Sequence, residues 1–178
     1  MIDMTNETFF DAIVIGAGFS GLYQLHRLRD ELGLKVLAFE KGSGVGGTWF
    51  WNRYPGARCD SESYSYAYFF SQEIHESWQW SERYPCHREV RKYLNFVANT
   101  LNLRKNILFN TKVCACRFMP QECIWQVKAD GGRLFYAKWL ITCVGCLSAA
   151  NIPKIPGLSS FKGAWYHTGN WPHNDVDL

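Results

Sequence analysis

A glycine-rich turn near the amino terminus constrains the fold of this chain more than any other feature. The turn Gly16-Ala17-Gly18-Phe19-Ser20-Gly21 follows an apolar run at residues 10–15, which is typical of a fully buried strand. Leucines then recur at helical spacing from Leu22 to Leu32, and Gly33 is expected to end that helix. The run Val36 to Phe39 predicts a second buried strand. This order of elements predicts a β–α–β unit with parallel strands.

Each glycine of the turn has a structural reason if the turn holds a dinucleotide. Gly16 permits a tight turn, Gly18 lets a pyrophosphate approach the backbone, and Gly21 lets the helix pack close to the strand. Glu40 ends the second strand, where a carboxylate accepts hydrogen bonds from ribose hydroxyls and repels a 2′-phosphate. The alternative is a structural glycine turn with a surface glutamate. The complete pattern favours a dinucleotide site, and the carboxylate favours FAD or NAD over NADP there.

The remainder of the chain predicts a second helix and a group of strands. Residues 41–47 form a glycine-rich loop, and residues 48–80 are aromatic and turn-rich without a regular period. Apolar residues at helical spacing predict an amphipathic helix from His87 to about Leu101. Strands are predicted at residues 107–109, 112–119 and 124–129, from Leu134 onward, and in a buried run at residues 139–144. Asp130-Gly131-Gly132 is a hairpin turn signal, so the fold class is α/β with a small antiparallel insertion.

Composition argues against several classes of function. The net charge is only +3 and the basic residues are dispersed, which argues against nucleic-acid binding. No apolar run approaches the length of a membrane span, and Met1 to Glu7 lacks the basic residues of a signal peptide. Seven cysteines cannot all pair, so reduced thiols in the cytoplasm are expected. The pair Cys143-x-x-Cys146 has no second such pair, and we interpret it as buried strand thiols and not as a metal site.

Three further segments carry a resemblance to a known family. Gly46-Gly47-Thr48-Trp49 resembles the second flavin-contact loop of flavoproteins that bind two dinucleotides, and the segment from Trp51 to Asp60 resembles the flavin-proximal segment of Baeyer–Villiger monooxygenases. The run from Phe161 to Pro172 matches the fingerprint F-x-G-x-x-x-H-T-x-x-W-P of those enzymes. The matching positions are Phe161, Gly163, His167, Thr168, Trp171 and Pro172. The chain therefore resembles the amino-terminal part of a Baeyer–Villiger flavin monooxygenase, with a Rossmann-like FAD-binding domain.

The resemblance assigns a set of residues to the cofactors FAD and NADP. These residues are expected to make the contacts: Gly16, Gly18, Ser20, Gly21, Glu40, Gly47, Thr48, Trp49, Arg58, Cys59, Asp60, Tyr66 and Val113. The glycine turn would hold the pyrophosphate, Glu40 the adenosine ribose, and the backbone at Val113 the adenine edge. Thr48 and Trp49 would contact the flavin side of FAD.

The expected catalytic residue is Asp60. The resemblance places Asp60 and Tyr66 beside the isoalloxazine ring, and it places Arg58, Cys59 and Asp60 on the face that meets the nicotinamide of NADPH. A carboxylate there would position an arginine and the nicotinamide carboxamide. The alternative is that Asp60 only caps the local turn at residues 60–62. The fingerprint histidine, His167, would coordinate domain movement and would not attack the substrate.

The resemblance implies an activity that needs more polypeptide than this chain contains. NADPH would reduce FAD, and O2 would then provide one oxygen atom for insertion next to a ketone carbonyl, giving an ester or lactone. No second G-x-G-x-x-G follows Trp171, so residues 1–150 are expected to be part of the FAD-binding domain and 151–178 a linker toward an NADP domain. The alternatives are a flavin monooxygenase that oxidises amines or sulfides, and an FAD-binding fragment without catalysis.

Overall fold

A single mixed sheet organises the chain. The computed structural model describes residues 7–174, 176 and 177. The strands have these bounds: β1 Phe9–Ile15, β2 Val36–Phe39, β3 Ile107–Leu108, β4 Val113–Met119, β5 Ile124–Ala129 and β6 Leu134–Thr142. Their order in the sheet is β3-β2-β1-β6-β5-β4. The first four in that order are parallel, whereas β5 is antiparallel to both β6 and β4. The predicted α/β fold with an antiparallel insertion is therefore confirmed, and the insertion shares β6 with the parallel sheet.

Four α-helices accompany the sheet. Their bounds are α1 Phe19–His26, α2 Thr48–Trp51, α3 Gln72–Ser77 and α4 His87–Thr100. After α1 the chain continues as a π-helical turn over Arg27–Glu31, so most of the first predicted helix is present. The prediction that residues 48–80 are irregular was wrong for α2 and α3. These helices have four and six residues, which is too short to show a helical period in the sequence.

The central strand β1 is apolar from Ala12 to Ile15 because both of its faces are covered there. Ala12 and Val14 belong to the core cluster that also contains the buried face of α4. Ile13 belongs to the opposite cluster, together with Phe39 and Phe135. Successive side chains of a strand point to opposite faces, so a strand between two layers is apolar at every position. The apolar run therefore indicated burial correctly here.

The strand β6 differs from its prediction in length and burial. It is one continuous strand, and its first part pairs with β5 as far as Ala137 while residues 136–142 pair with β1. Among the described residues no strand pairs with the other edge of β6 beyond Ala137. Trp139 is 65% exposed and Val144 is 51% exposed, so the prediction of a buried run at residues 139–144 was wrong. An apolar run indicates a surface suited to burial, but burial also needs a neighbouring segment.

After β6 the chain has little regular structure. Two short 3-10 turns, at Leu158–Ser160 and Thr168–Asn170, are its only helical elements within the described residues. No helix in the described part of the chain is long and apolar enough to cross a membrane. The prediction about a signal peptide concerns residues 1–7, and residues 1–6 lie outside the described part.

Candidate cofactor site

Two glycine loops meet at the carboxyl ends of the parallel strands. A Cβ atom at Gly47 would lie 2.9 Å from the Cα atom of Gly18, and one at Gly21 would lie 1.8 Å from the carbonyl oxygen of Gly16. The Gly46 N–H donates to the carbonyl oxygen of Ala17 at 3.0 Å. We call residues 16–21 and 46–47 the glycine cradle. At Gly21 and Gly47 the cradle presents only backbone, because no side chain larger than hydrogen fits at these contacts.

The amino terminus of α1 opens onto the glycine cradle. Gly18 is the N-cap residue, and no side chain caps the helix. The first N–H groups of such a helix have no partner within the helix and carry the positive end of its dipole. Backbone N–H groups in this arrangement bind phosphate.

Glu40 connects the cradle to the loop that follows β2. Its side chain is 5% exposed. One carboxylate oxygen accepts from the Ala17 N–H at 2.8 Å, and the other accepts from the Gly42 N–H at 2.7 Å. Each carboxylate oxygen has a second lone pair, so these bonds leave acceptor capacity for ribose hydroxyls. The expected ribose ligand is thus also a structural link between two loops, which its sequence position did not indicate.

Val113 lies at the end of a segment that runs beside Glu40. The Glu40 N–H donates to the carbonyl oxygen of Leu108 at 2.9 Å, and the Thr111 N–H donates to the carbonyl oxygen of Glu40 at 3.0 Å. β4 begins two residues later, at Val113. The predicted adenine and ribose contacts therefore lie on neighbouring segments.

The residues expected on the flavin side form an aromatic group beyond the cradle. Trp49 lies in α2, which begins at Thr48, and its indole N–H donates to the Tyr66 hydroxyl at 3.1 Å. The ring of Phe19 lies 4.8 Å from that of Tyr66, edge to face. Burial raises the pKa of Tyr66, and the nearby Asp60 carboxylate adds to that increase. Trp49 and Tyr66 are therefore in contact, and Asp60 lies near enough to influence Tyr66 and is itself exposed.

Arg58 and Cys59 are less available than the sequence suggested. The Arg58 guanidinium donates to the Glu82 carboxylate and to the carbonyl oxygen of Tyr84. The Glu82 carboxylate raises the pKa of Arg58. Cys59 is 4% exposed, and burial raises the pKa of its thiol. Arg58 is therefore already paired, and the Cys59 N–H donates to the carbonyl oxygen of Pro85 at 2.9 Å.

Ser20 contacts a cysteine at the end of β6. Its hydroxyl donates to the Cys143 sulfur at 3.2 Å. Cys143 is partly buried and burial raises the pKa of its thiol, whereas Cys146 is exposed. The interpretation of both as buried strand thiols was wrong, because β6 ends at Thr142, before either cysteine, and Cys143 is only partly buried while Cys146 is exposed. No group of three or more metal-ligating side chains occurs within the described residues.

The fingerprint histidine closes a loop of the carboxyl-terminal tail. His167 Nδ1 accepts from the Gly169 N–H at 3.0 Å, so Nε2 carries the proton and donates to the carbonyl oxygen of Asn151 at 3.2 Å. Gly163 lies against the Phe161 ring, where an added Cβ would come within 2.6 Å of a ring carbon. Thr168 begins the 3-10 turn that follows His167. These contacts give four of the fingerprint positions a local structural role.

The end of the fingerprint packs on the flavin-proximal segment. The Trp171 ring lies 6.5 Å from that of Tyr54 and 5.5 Å from that of Tyr166. Pro172 follows, and the next ring, His173, lies 6.1 Å from those of both Phe50 and Trp51. Two segments that resemble the same family, and that are more than a hundred residues apart in the chain, thus meet beside the glycine cradle.

Comparison with known proteins assigns the family. The model of the flavin-binding monooxygenase-like family matches residues 11–177. The chain belongs to this family. It is 50% identical over 172 residues to phenazine N-monooxygenase PhzNO1 of Lysobacter antibioticus, covering 97% of this chain and 32% of that protein. It is 48% identical over 169 residues to a Baeyer–Villiger monooxygenase of Pseudooceanicola batsensis, covering 95% of this chain and 31% of that protein.

A solved structure of the same family has the same fold. The crystal structure of cyclohexanone monooxygenase from Rhodococcus sp. Phi1 bound to NADP+ superposes with a TM-score of 0.90 at 41% identity, covering 96% of this chain and 32% of that one. The predicted resemblance to Baeyer–Villiger monooxygenases is therefore confirmed. This flavin-binding monooxygenase-like chain spans about a third of the length of the relatives it matches.

The residues of this family member fit FAD. The two glycine loops approach each other only because Cβ atoms are absent, the start of α1 has no side-chain cap, and a buried carboxylate follows β2. The sequence singled out Cys143 but did not indicate its contact with Ser20, which lies in a distant segment. Phe50, which packs against the glycines of residues 42–46, was missed. Its role depends on packing, which leaves no motif in the sequence.

Proposed function

We propose that this chain forms the FAD-binding part of an FAD- and NADPH-dependent Baeyer–Villiger monooxygenase that converts a ketone to an ester or lactone with O2. The observation that carries the proposal is the contact of Trp171, in the fingerprint, with Tyr54, in the flavin-proximal segment. Both segments resemble Baeyer–Villiger monooxygenases, and they pack together beside the glycine cradle. The Baeyer–Villiger monooxygenase and cyclohexanone monooxygenase among the relatives support this reading.

The cradle and Glu40 bind and orient the cofactor in this proposal. The N–H groups at the start of α1 hold the pyrophosphate, and the backbone of Gly18 and Gly47 lets it approach closely. Ser20 adds a hydroxyl that rests on Cys143. Glu40 accepts from the adenosine ribose with the lone pairs that Ala17 and Gly42 leave free.

The aromatic group and Asp60 define the flavin end of the site. Bound FAD supplies the electron transfer and the reaction with oxygen. Trp49 and Tyr66 hold each other through a hydrogen bond and exclude water from one side of the ring position. Asp60 offers an exposed carboxylate that positions a cationic group and the carboxamide of NADPH. Arg58 joins that face after it exchanges Glu82 for the nucleotide.

We propose that the chain divides into two parts. Residues 1–150 belong to the FAD-binding domain, and 151–178 form a linker toward an NADP-binding domain. The unpaired edge of β6 beyond Ala137, with exposed Trp139, supports a further strand supplied by the remainder of a longer polypeptide. A cytoplasmic location is supported by the cysteines, all seven of which are free thiols.

A binding experiment tests the cofactor site directly. We expect the purified chain with added FAD to show a bound flavin absorption band after gel filtration. Gly47→Ala should abolish that band, because its Cβ would meet Gly18 at 2.9 Å. Gly131→Ala is the matched control, since Gly131 also has a positive φ (+66°, against +52° for Gly47) but has no neighbour within 4 Å. Equal loss of FAD in both variants, or no binding by the unsubstituted chain, would refute the proposed site.

A chimera tests the activity. Residues 7–177 would replace the matching third of cyclohexanone monooxygenase from Rhodococcus sp. Phi1. We expect NADPH-dependent conversion of cyclohexanone to its lactone, and loss of the product in the Asp60→Ala chimera with FAD retained. A chimera that binds FAD but makes no lactone, while NADPH still reduces the flavin, would argue against Baeyer–Villiger chemistry for this part.

A second candidate function follows from one relative. Phenazine N-monooxygenase is 50% identical to this chain, so oxygen transfer to the nitrogen of an aromatic heterocycle is the competing proposal. Assay of the chimera, and of a matching chimera of the phenazine enzyme, with phenazine and with cyclohexanone separates the two. Activity of this chain only in the phenazine chimera would favour N-oxidation.

A further inference from the structure

A cleft beside the glycine loop is lined by no residue that the proposal assigns to FAD contact. Its volume is about 470 Å³, and its walls are the loop residues Gly44 and Val45, the Phe50 ring and one face of α4. None of its lining residues belongs to the glycine cradle, where Gly47 meets Gly18. A molecule in this cleft would therefore not lie in the cradle.

Positive charge converges on this cleft. α4 contributes Arg91 and Lys92 to its lining, and no carboxylate lines it. Arg53 lies close by, with its guanidinium 5.0 Å from the centre of the Phe50 ring. Within the described residues, no carboxylate forms an ion pair with any of these three side chains, although other arginines of the chain are paired, such as Arg58 with Glu82.

The positive charges around the cleft repel one another. Burial, and then the charge of Arg91, lower the pKa of Arg53. Burial, and then the charges of Arg88, Arg91 and Arg53, lower the pKa of His87 at the start of α4. Neighbouring like charges destabilise a fold unless an anion offsets them. His87 Nδ1 is also buried without a hydrogen-bond partner, so this nitrogen can still form a hydrogen bond beside the same cluster.

Polar and aromatic groups complete the lining. Asn95 and Asn99 follow Arg91 at intervals of four residues on α4, and their side-chain oxygens accept from Arg104. This contact brings a further cation to the edge of the cleft. The rings of Phe50 and Phe96 give the cleft apolar walls. Guanidinium and ammonium groups beside a flat apolar wall are a combination that suits an anion on an organic body.

We propose that this cleft binds a phosphate group, held by Arg91, Lys92 and Arg53 and carried by a small organic phosphate whose body packs on Phe50 and Phe96. A phosphate dianion matches several cations at once, whereas a single carboxylate would neutralise one of them. The cleft has the volume of a small-molecule site. This proposal does not rest on the proposed monooxygenase activity.

Titration of the chain with inorganic phosphate and with phenyl phosphate, followed by backbone amide NMR at constant ionic strength, tests the proposal. We expect saturable shifts at residues 44–45 and 91–99 with both probes. Arg91→Gln should weaken binding at least about tenfold, as for loss of a hydrogen bond to a charged group, while Arg91→Lys keeps most of it. Arg117→Gln, on the exposed strand β4, is the control and should change nothing.

The outcomes separate the possible ligands and sites. Tighter binding of phenyl phosphate than of inorganic phosphate supports the proposal, whereas equal binding would show a site for the free ion and overturn the packing of an organic body on Phe50 and Phe96. Shifts confined to residues 16–22, unchanged in Arg91→Gln, would place phosphate in the cradle and overturn the proposal. Equal shifts with chloride would overturn it as well, because they would show only general screening.

Discussion

Replacement of Glu40 by glutamine tests whether this carboxylate holds the site together before any cofactor binds. The two oxygens accept from the N–H groups of Ala17 and Gly42, at 2.8 and 2.7 Å, in a site where the side chain is 5% exposed. A glutamine side chain has one oxygen and one NH2 group. It can accept only one of these bonds, and its NH2 group would face the other N–H.

We expect a large fall in the free energy of unfolding, although glutamine and glutamate side chains have almost the same shape. A hydrogen bond to a charged group contributes about 1.5–3 kcal/mol, and a buried N–H left without an acceptor costs about 1–3 kcal/mol. These figures describe the same lost contact, so we expect the free energy of unfolding to fall by about 2–3 kcal/mol. With a urea dependence of roughly 2 kcal/mol per molar, the unfolding midpoint falls by about 1 M.

Urea unfolding without FAD, followed by tryptophan fluorescence and circular dichroism, measures this effect. Glu122→Gln is the control, because Glu122 is exposed in the turn between β4 and β5 and should leave the midpoint unchanged. A midpoint for Glu40→Gln within about 0.2 M of the unsubstituted chain, which corresponds to less than about 0.5 kcal/mol, would refute the structural role. Glu40 would then serve only as a ligand, and its loss would be visible only in FAD affinity.

Two further predictions concern backbone packing and pH. Gly21→Ala should destabilise the fold by about 3 kcal/mol or more, because its Cβ would lie 1.8 Å from the Gly16 oxygen. Gly33→Ala is the control: Gly33 has a positive φ but no neighbour within 4 Å, so this change should cost only about 1 kcal/mol. Equal urea midpoints for the two variants would contradict the close packing at Gly21. Burial raises the pKa of Tyr93 to about 12, above the value near 10 of an unfolded chain. The folded state therefore loses stability as the pH rises above about 10, by about 2 kcal/mol at pH 12. Tyr93→Phe should be less stable at neutral pH, because the Tyr68 N–H loses its acceptor. Its free energy of unfolding should fall less between pH 10 and 12 than that of the unsubstituted chain. An equal fall in both proteins would contradict the raised pKa of Tyr93.

Much of the fold could be predicted because its signals are local. The strand Val36–Phe39, the strand Ile124–Ala129 and the helix α4 lie where the apolar periods placed them. The hairpin turn at residues 130–132 has the positive φ angles that its two glycines permit. The glycine turn was recognised because only glycine satisfies its contacts, and that restriction leaves a pattern in the sequence.

The fingerprint shows where a pattern indicates a family without indicating structure. Its six fixed positions predicted the family, which the comparisons confirm. They did not predict that His167 would bond to Asn151 or that Trp171 would pack on Tyr54. Those partners lie in other segments, and spacing along the chain contains no information about which segments meet.

The sequence by itself determined the β–α–β unit, the glycine turn, the amphipathic helix and the family, because each depends on a local period, a steric limit or a fixed motif. Only the tertiary structure decided that Glu40 joins two loops, that Cys59 is buried and that Trp139 is exposed. The same is true of the cluster of Arg53 and Arg91. Burial, pairing and charge at these positions depend on distances between segments far apart in sequence, and those distances are set by the packing of the sheet and its helices.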